Sequence, residues 1–454
     1  MGKNYFDPNE FASLGSDSKM IQAAVDEAEK SGANRVVIPA YNERTGSFLW
    51  VIDKTILLPS HFTLEIDNAH LRMADGVFQQ MISNRNAMTE IGKTPEGEQE
   101  DIAIVGHGRA LLDGGVHNGL REGTAGKDGF PGVMNNFTIY LHNVHHFKVT
   151  GLNIQDQRYW ALCFLYCWDG VISDLHFSLT SWSLRKDPNR PWKNQDGVDL
   201  RLGCHDIAIS DLYGETLDDM VALTALAVTD RAFENIWGCK HLSPDIYNVT
   251  ISNITAFNNH CKLVRLLCHK HHQIYNVDIH DIVDSTPDEN GLDPLQYKHI
   301  RTSCCVEIGE NDYDKGDITN RCQHGEMRDI CISNVFSSSL AAVALNCSAK
   351  NVVVRNVFVK NPGGHALAVS QIKAGAHQNL DTPTNISRME NILVDGVSFH
   401  SEREGAVPFF FNGMIAKNFR VRNVSYRCAN GLVRTNREQA ESEEVIFENI
   451  VREE

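Results

Sequence analysis

Signals for nucleic-acid binding and for membrane insertion are missing from this sequence. The 454-residue chain has no run of five or more basic residues, and 42 Lys and Arg against 58 Asp and Glu give a formal net charge of −16 at pH 7. Such a chain repels phosphate backbones and anionic membrane surfaces, so nucleic acid is not an expected partner. No apolar stretch approaches the roughly 20 residues that a membrane-spanning helix needs, so no membrane association is expected.

Signals for disorder, metal binding and secretion are scarce as well. With 42% hydrophobic and 22% charged residues, 33 Gly and 13 Pro, the composition is that of an ordinary folded protein. The twelve cysteines lack paired Cys-x-x-Cys spacing, which favours buried free thiols over a zinc site. No metal and no cofactor is therefore expected. The first 17 residues lack the apolar region and cleavage site of a signal peptide, so a cytoplasmic protein is expected, or a secreted one if a signal peptide was removed.

A short sequence motif of alternating apolar residues, with Asn or Asp between them, recurs along most of the chain. It occurs at 205–212, 247–254, 275–282, 328–335, 350–357, 390–397, 418–425 and 443–450. Alternation with a period of two predicts β-strands. The step from Ile332 to Val354 is 22 residues and that from Val394 to Val421 is 27. One turn of a repeating structure is therefore expected to take about 22–27 residues, and longer steps are expected to hold two turns.

A second series of short apolar strands follows the first by 11–15 residues. It occurs at 220–225, 262–267, 342–347, 366–371, 408–413 and 431–436. These units lack the 3.6-residue period of helical repeats and are shorter than the roughly 40 residues of a propeller blade, which leaves stacked coils of parallel strands. We therefore expect an all-β, single-domain right-handed parallel β-helix, a solenoid whose interior is a column of small apolar residues, cysteines and asparagines.

The N-terminal segment has a different pattern. Residues 18–28 have helical periodicity with serine and aspartate before them as candidate caps, and 34–40 predicts a strand. Because a solenoid end exposes unpaired strand edges, this helix is expected to cover that end. The predicted organisation is a cap helix and first strand over 1–45 and a β-helix with loop insertions over 46–454, forming one domain overall. Loop insertions are expected at 76–101, 118–136 and 178–194.

Two acidic motifs at strand starts carry the candidate chemistry. Asp196 lies two residues before Val198, and Asp219 lies two residues before Val221. Their interval of 23 residues is one turn. Both carboxylates are therefore expected on the same face of adjacent coils, whose backbones are about 4.7–4.9 Å apart.

Further polar residues continue this column at similar intervals. His241 lies 22 residues after Asp219, and Arg265 lies 24 residues after His241. Stacked like charges, here together with Asp218, cost stability unless one carboxyl group is protonated, so the cluster suggests tuned pKa values and an acid–base pair. The alternative is that both acidic motifs are ordinary solvated turns.

The order Asn-x-Asp, Asp-Asp, His and Arg resembles the polygalacturonase-type glycoside hydrolases of family 28, in the pectate-lyase-like β-helix superfamily. The opening DSKMIQAAVDEAEKSGANRVVIPA, the GHGRALLDGG stretch at 106–115 and the chain length agree with this resemblance. It implies Asp218 as the general acid and Asp196 and Asp219 as bases that activate water. The substrate contacts that it implies are those of Asn194, His241 and Arg265.

The chain departs from the family pattern at these substrate contacts. Asn194-Gln195-Asp196 stands where the family has Asn-Thr-Asp, and Lys240-His241-Leu242 where it has Gly-His-Gly. Leu267 stands where the family has a lysine that is expected to pair with a galacturonate carboxylate. Candidate replacements are Lys240, Lys262 and Arg201, unless the sugar is uncharged.

The expected function is hydrolysis of plant-derived, pectic-type oligosaccharides with exo action. Adjacent-coil carboxylates fit either the roughly 5–5.5 Å separation of retaining enzymes or the wider inverting one, and the resemblance implies inversion. Two alternatives remain, namely a β-helix lyase, epimerase or fructosyl-transfer enzyme on another glycan, and a non-catalytic glycan-binding solenoid. Glu307 and Glu310 are candidate contacts from a later coil, and Trp182 and Trp192 are candidates for stacking on a sugar ring.

Overall fold

The computed structural model describes most of the chain, from the N-terminal helix to the last strand. The described residues are 3–115, 136–180, 195–226, 237–258, 261–287, 301–309, 322–369, 387–412, 414–435 and 445–454. Asn194, Glu310, Trp182 and Trp192 lie outside them, as do most of the insertions predicted at 118–136 and 178–194. Among the described residues, no helix combines the length and apolarity that crossing a membrane requires.

The chain divides into two compact units. The first is Met1–Asp218 with Ile236–Ser243, and the second is Asp219–Asn235 with Pro244–Glu454. Each unit is a stack of parallel strands. The predicted organisation, a cap over 1–45 and a β-helix over 46–454 within one domain, stays a prediction.

The first unit contains the helix α1 (Asp17–Ser31), three short 3-10 helices and twelve of the described strands. The 3-10 helices are Pro8–Leu14, Ile91–Lys93 and Pro95–Gly97. The strands are β1 (Arg35–Pro39), β2 (Trp50–Ile52), β3 (Ile56–Leu58), β4 (Phe62–Asp67), β5 (His70–Met73), β6 (Ile82–Asn84), β7 (Gln99–His107), β8 (Leu111–Asp113), β9 (Ile139–Gln155), β10 (Leu162–Ser178), β11 (Val198–Leu200) and β12 (His205–Glu215). One fully buried apolar residue from each successive coil stacks on the next: Val36, Leu64, Ile104, Val149, Ile172 and Ile209.

The second unit contains the remaining described strands, in two alternating stacks. They are β13 (Val221–Ala225), β14 (Ile246–Phe257), β15 (Lys262–Cys268), β16 (Ile274–Asp284), β17 (Cys304–Ile308), β18 (Met327–Ser337), β19 (Ala341–Leu345), β20 (Ala349–Val359), β21 (His365–Val369), β22 (Ser387–His400), β23 (Phe409–Phe411), β24 (Met414–Arg427), β25 (Val433–Thr435) and β26 (Ile446–Arg452). The even-numbered strands align Ile251, Ile279, Ile332, Val354, Val394, Val421 and Phe447. The odd-numbered strands align Val221, Val264, Val306, Val343, Leu367, Phe409 and Val433.

These alignments confirm both predicted strand series and the fold class. The two series alternate along the chain, and every pair in these stacks is parallel, as expected for a right-handed parallel β-helix. The expectation that longer steps hold two turns is wrong in this unit. Val354 pairs directly with Val394, 40 residues later, so that step is a single coil with a longer connection.

The N-terminal helix covers a strand edge, as predicted, and it does so with polar side chains. Ser16 is its N-cap, and Gly32, with a φ of 76°, is its C-cap. The Asp17 carboxylate accepts a hydrogen bond from the Val51 N–H at 2.7 Å. Gln22 accepts from the Leu57 N–H at 2.8 Å and donates to the Leu57 carbonyl at 3.1 Å. These contacts satisfy backbone groups that would otherwise have no partner strand.

The repeated asparagines form a corner of the second unit. Asn351, Asn391 and Asn418 each have a φ between 54° and 57°, the left-handed conformation that Asn tolerates better than most residues. The side-chain amide of Asn391 donates to Asn351, and that of Asn418 donates to Asn391, each at 2.9 Å. The asparagines are therefore turn residues, as the sequence predicts, and their amides link successive coils.

The twelve cysteines are all free thiols, eight of them buried. The prediction of buried thiols is confirmed for those eight. The half-exposed thiols are Cys261, Cys322, Cys331 and Cys428.

Candidate active site

Asp196 and Asp218 are brought together in the first unit by backbone hydrogen bonds. Asp196 lies just before β11, and its carbonyl accepts from the Ala161 N–H at 3.0 Å. The carbonyl of the preceding residue, Gln195, accepts from the Asp218 N–H at 3.4 Å. The backbones of Gln195 and Asp218 therefore lie alongside each other. The placement of Asp196 and Asp219 on one face, which their 23-residue spacing predicts, stays a prediction.

Amide and hydroxyl side chains hold this pair of loops in place. Gln157 donates to the carbonyls of Gln195 and Asp196, each at 3.4 Å, and Gln195 donates back to the Gln157 carbonyl. Thr216 donates to the Asp218 carbonyl at 2.6 Å. These contacts use backbone atoms of Asp196 and Asp218 and do not involve their carboxylate oxygens. Asp196 is buried and Asp218 is half-buried.

A buried arginine lies close to Asp196 in sequence. The Arg201 guanidinium lies 4.3 Å from the ring centroid of Trp160 and 3.5 Å from an Asp199 carboxylate oxygen. Asp199 is fully buried in β11, and Trp160 packs against Phe137. A planar guanidinium held on an aromatic face is a typical partner for a carboxylate. The sequence predicts Arg201 only as a replacement for the family lysine and does not single out Asp199. The sequence feature that could have indicated this pair is the Asp-x-Arg spacing of Asp199 and Arg201, directly after the Asp196 motif.

Asp219 and Arg265 form a buried ion pair in the second unit. Asp219 is 1% exposed. One of its carboxylate oxygens accepts from Arg265 Nη1 and the other from the Lys262 N–H, each at 2.9 Å. The pairing of Val221 with Val264 places β13 and β15 side by side and so aligns these residues. Two of the predicted site residues are therefore in direct contact.

A second buried charge pair extends this arrangement by one coil. Glu307 pairs in register with Arg265, and its carboxylate lies 3.0 Å from Lys262 Nζ. Asn346, from the following coil, donates to the other Glu307 oxygen at 2.6 Å. Lys262 is therefore buried and engaged by Glu307, whereas Lys240 is exposed.

His241 does not occupy a coil of its own between Asp219 and Arg265. That expectation is wrong, because Val221 pairs directly with Val264. His241 lies in an exposed turn in which the Leu242 N–H donates to the Cys239 carbonyl at 3.0 Å. The pKa of the nearby Glu96 is lowered, chiefly by a hydrogen bond from the Thr94 side chain and least by His241. A role for His241 as a substrate contact stays a prediction.

The turn that carries His241 is anchored by a buried histidine that the sequence analysis did not select. His142 Nε2 donates to the Trp237 carbonyl at 2.8 Å and lies 3.5 Å from Cys239 Sγ. His142 is fully buried, and burial lowers its pKa to about 4 from an ordinary value of 6.5.

The stability of the protein is therefore expected to depend on His142 between pH 6.5 and pH 4. In this window the unfolded chain binds a proton that the folded protein excludes, so stability rises with pH. The full contribution, about 3 kcal/mol at most, is present above pH 6.5 and is lost as the pH falls towards 4. Denaturant unfolding at several pH values checks this, since His142→Gln should have a shallower pH dependence than the wild type. An unchanged slope in that variant would contradict the assignment. His280→Ala, at a half-exposed position in β16, serves as the control.

Comparisons with solved structures agree with the fold. The chain is similar to the pre-mature bacteriophage phi29 gene product 12, at 12% identity over 94% of this chain and 52% of that chain, with a TM-score of 0.53. At this identity the likeness shows the fold alone. Similarity extends to a hyperthermoactive exopolygalacturonase from Thermotoga maritima, at 12% identity over 94% and 91% of the two chains, with a TM-score of 0.47. It extends also to the family 28 exopolygalacturonase of Yersinia enterocolitica, at 13% identity over 98% and 77%, with a TM-score of 0.47.

No curated protein sequence is significantly similar to this chain. A family model does match it. Residues 53–237 match the glycosyl hydrolases family 28, and this segment includes Asp196, Asp218 and Asp219. Over this segment, which is less than half of the chain, the protein thus resembles the glycosyl hydrolases of family 28.

Proposed function

We propose that this protein hydrolyses pectic-type oligosaccharides by an exo-acting, inverting mechanism. The observation that carries the proposal is that the segment matching family 28 contains all three aspartates selected from the sequence. The adjacent backbones of Asp196 and Asp218 support it further, since acid–base hydrolysis needs carboxyl groups close to one glycosidic bond.

Asp218 is the proposed general acid. It donates a proton to the glycosidic oxygen as the bond from the anomeric carbon to that oxygen breaks. Water attacks the anomeric carbon from the opposite face and loses its proton to Asp196 or Asp219. The product then has the inverted anomeric configuration, and the acid is reprotonated from solvent.

Asp219 is proposed as a base that is oriented by its partners. Arg265 and the Lys262 N–H each engage one carboxylate oxygen. These two contacts fix the orientation of the carboxylate. Asn194 and His241 remain proposed substrate contacts, and the common groove for all of these residues stays a prediction.

The proposed substrate is a pectic oligosaccharide with a neutral sugar, such as rhamnose, at its non-reducing end. Leu267, which replaces the family lysine, is 3% exposed and apolar. Lys262 is engaged by Glu307, and Arg201 is held against Trp160. A galacturonate carboxylate at the cleavage subsite would therefore lose one charge-assisted contact.

We expect weak or no activity on polygalacturonan and clear activity on at least one other pectic oligosaccharide. The test incubates the protein with a panel of such substrates and follows the products by NMR. The anomeric signal of the first product reports inversion, and release of single residues reports exo action. Brisk release of galacturonate from polygalacturonan would overturn the specificity. An unsaturated product would favour a lyase, and binding without turnover would favour a glycan-binding solenoid.

A further inference from the structure

One corner of the first unit is built from stacked histidines and aspartates. The corner residues, one from each successive coil, are His61, Asp101, His146, Asp169 and Asp206. Each has a φ between 51° and 56°. Asparagine amides occupy the corresponding turns in the second unit, so the left-handed backbone alone does not require imidazoles here.

The left-handed conformation of His146 turns two neighbouring imidazoles towards each other. On a regular strand, adjacent side chains point to opposite faces. With His146 at a φ of 51°, its Nδ1 instead lies 2.8 Å from the Nδ1 of His145. Trp168 stacks on the His145 ring at a centroid distance of 5.0 Å and holds its orientation.

Carboxylates engage the outer nitrogen of each imidazole. His145 Nε2 lies 3.0 Å from a Glu98 oxygen, and His146 Nε2 lies 2.7 Å from an Asp169 oxygen. A carboxylate only accepts hydrogen bonds, so each Nε2 carries a proton. Both Nδ1 atoms then face each other with lone pairs, an arrangement that needs a shared proton or a cation between them.

The geometry points to a binding site for a divalent transition-metal ion, formed by Glu100, His145 and His146. Glu100 pairs in register with His145 from the preceding coil, and one ligand atom from each of the three residues lies within 4.8 Å of the others. Two imidazoles and one carboxylate suit Zn²⁺, Co²⁺ or Ni²⁺, whereas Mg²⁺ and Ca²⁺ prefer oxygen ligands alone. The absence of Cys-x-x-Cys pairs does not bear on this site, because its ligands are imidazoles and a carboxylate.

Glu98 and Asp169 complete the arrangement as outer partners. Metal-binding histidines commonly donate their second ring N–H to a carboxylate, which orients the ring and makes the ligand nitrogen more basic. Glu100 and His146 have side chains that are 45% and 56% exposed, so an ion can reach the site from solvent. A bound ion would link β7 to β9 and so join two coils.

The test titrates the full-length protein, stripped of metal with a chelator, with Zn²⁺ by calorimetry and with Co²⁺ by absorption spectroscopy. We expect one equivalent to bind and the wild type to melt at a higher temperature with Zn²⁺. His145→Ala, His146→Ala and Glu100→Gln should each weaken binding at least tenfold. Asp169→Asn, which keeps the turn and the fold, should weaken it by about 10–100-fold.

His280→Ala is the matched control, because His280 is an imidazole in the second unit that lies 2.7 Å from the neighbouring Asp281. Its affinity for Zn²⁺ should equal that of the wild type. The proposal is overturned if the wild type binds neither ion. It is also overturned if the Glu100 and His146 variants bind as tightly as the wild type, or if bound Co²⁺ has a thiolate charge-transfer band, which would place the ion at cysteines.

Discussion

Replacing Asp218 by Asn is expected to lower kcat by about 10²–10⁴-fold while leaving the free energy of unfolding within about 0.5 kcal/mol of the wild type. Asn cannot supply the proton that the leaving oxygen needs. The backbone contacts of Asp218 with Gln195 and Thr216 are the same for Asn, so the turn is retained. The measurement is kcat on the best substrate of the pectic panel, together with denaturant unfolding.

A conservative Asp→Asn change elsewhere in the first unit serves as the control. Asp174 is an exposed turn residue with a φ of 54°, and Asp174→Asn should change neither kcat nor stability. If Asp218→Asn instead melts far below the wild type and keeps its kcat, Asp218 is a structural turn residue and the proposed mechanism is wrong.

Asp219→Ala, one residue further along the chain, is expected to destabilise the protein by about 3–5 kcal/mol. The change leaves the Arg265 guanidinium, whose side chain is 12% exposed, without this carboxylate partner. It also removes the acceptor for the Lys262 N–H. A buried charge that loses its partner keeps its desolvation cost, so the loss is larger than the net value of the pair. Denaturant unfolding of the purified variant measures it.

A double-mutant cycle separates this ion pair from other effects of the substitution. Arg265→Met removes the charge and keeps much of the volume, and the variant carrying both changes should be more stable than the sum of the single losses predicts. Additive losses, or a cost below about 1 kcal/mol for Asp219→Ala alone, would show that the pair does not contribute as argued. The two variants that carry Asp219→Ala should be inactive if Asp219 is a base, so stability is the quantity that discriminates.

The two predictions differ because the neighbouring aspartates have different surroundings. Asp218 is half-buried and Asn would keep its described backbone contacts, whereas Asp219 is almost fully buried and its carboxylate is held by Arg265 and the Lys262 N–H. The sequence predicts both at the same site and does not distinguish them. The difference depends on which strand starts lie alongside each residue, and sequence spacing does not contain that information.

The strand series could be predicted because each coil repeats the same local constraint. Inward-facing residues such as Ile332 and Val354 must be apolar, and corner residues such as Asn351 must tolerate a left-handed backbone. Both constraints act on single residues, so each appears in the sequence as a residue type that recurs at regular intervals. The prediction that His241 occupies the next coil is wrong, because an interval of 22 residues measures chain length and not the number of coils. Connections between strands vary in length, so a matching interval does not establish a matching position.

The all-β solenoid and its capping helix could be predicted from the sequence, since apolar alternation and turn residues act locally. The contacts of Asp219 with Arg265, of Lys262 with Glu307, and of His145 and His146 with Glu100 appear only in the folded structure. These contacts join side chains from different coils. Their formation depends on the register of parallel strands, which is set by the packing of the whole apolar column and not by the residues that the contacts join.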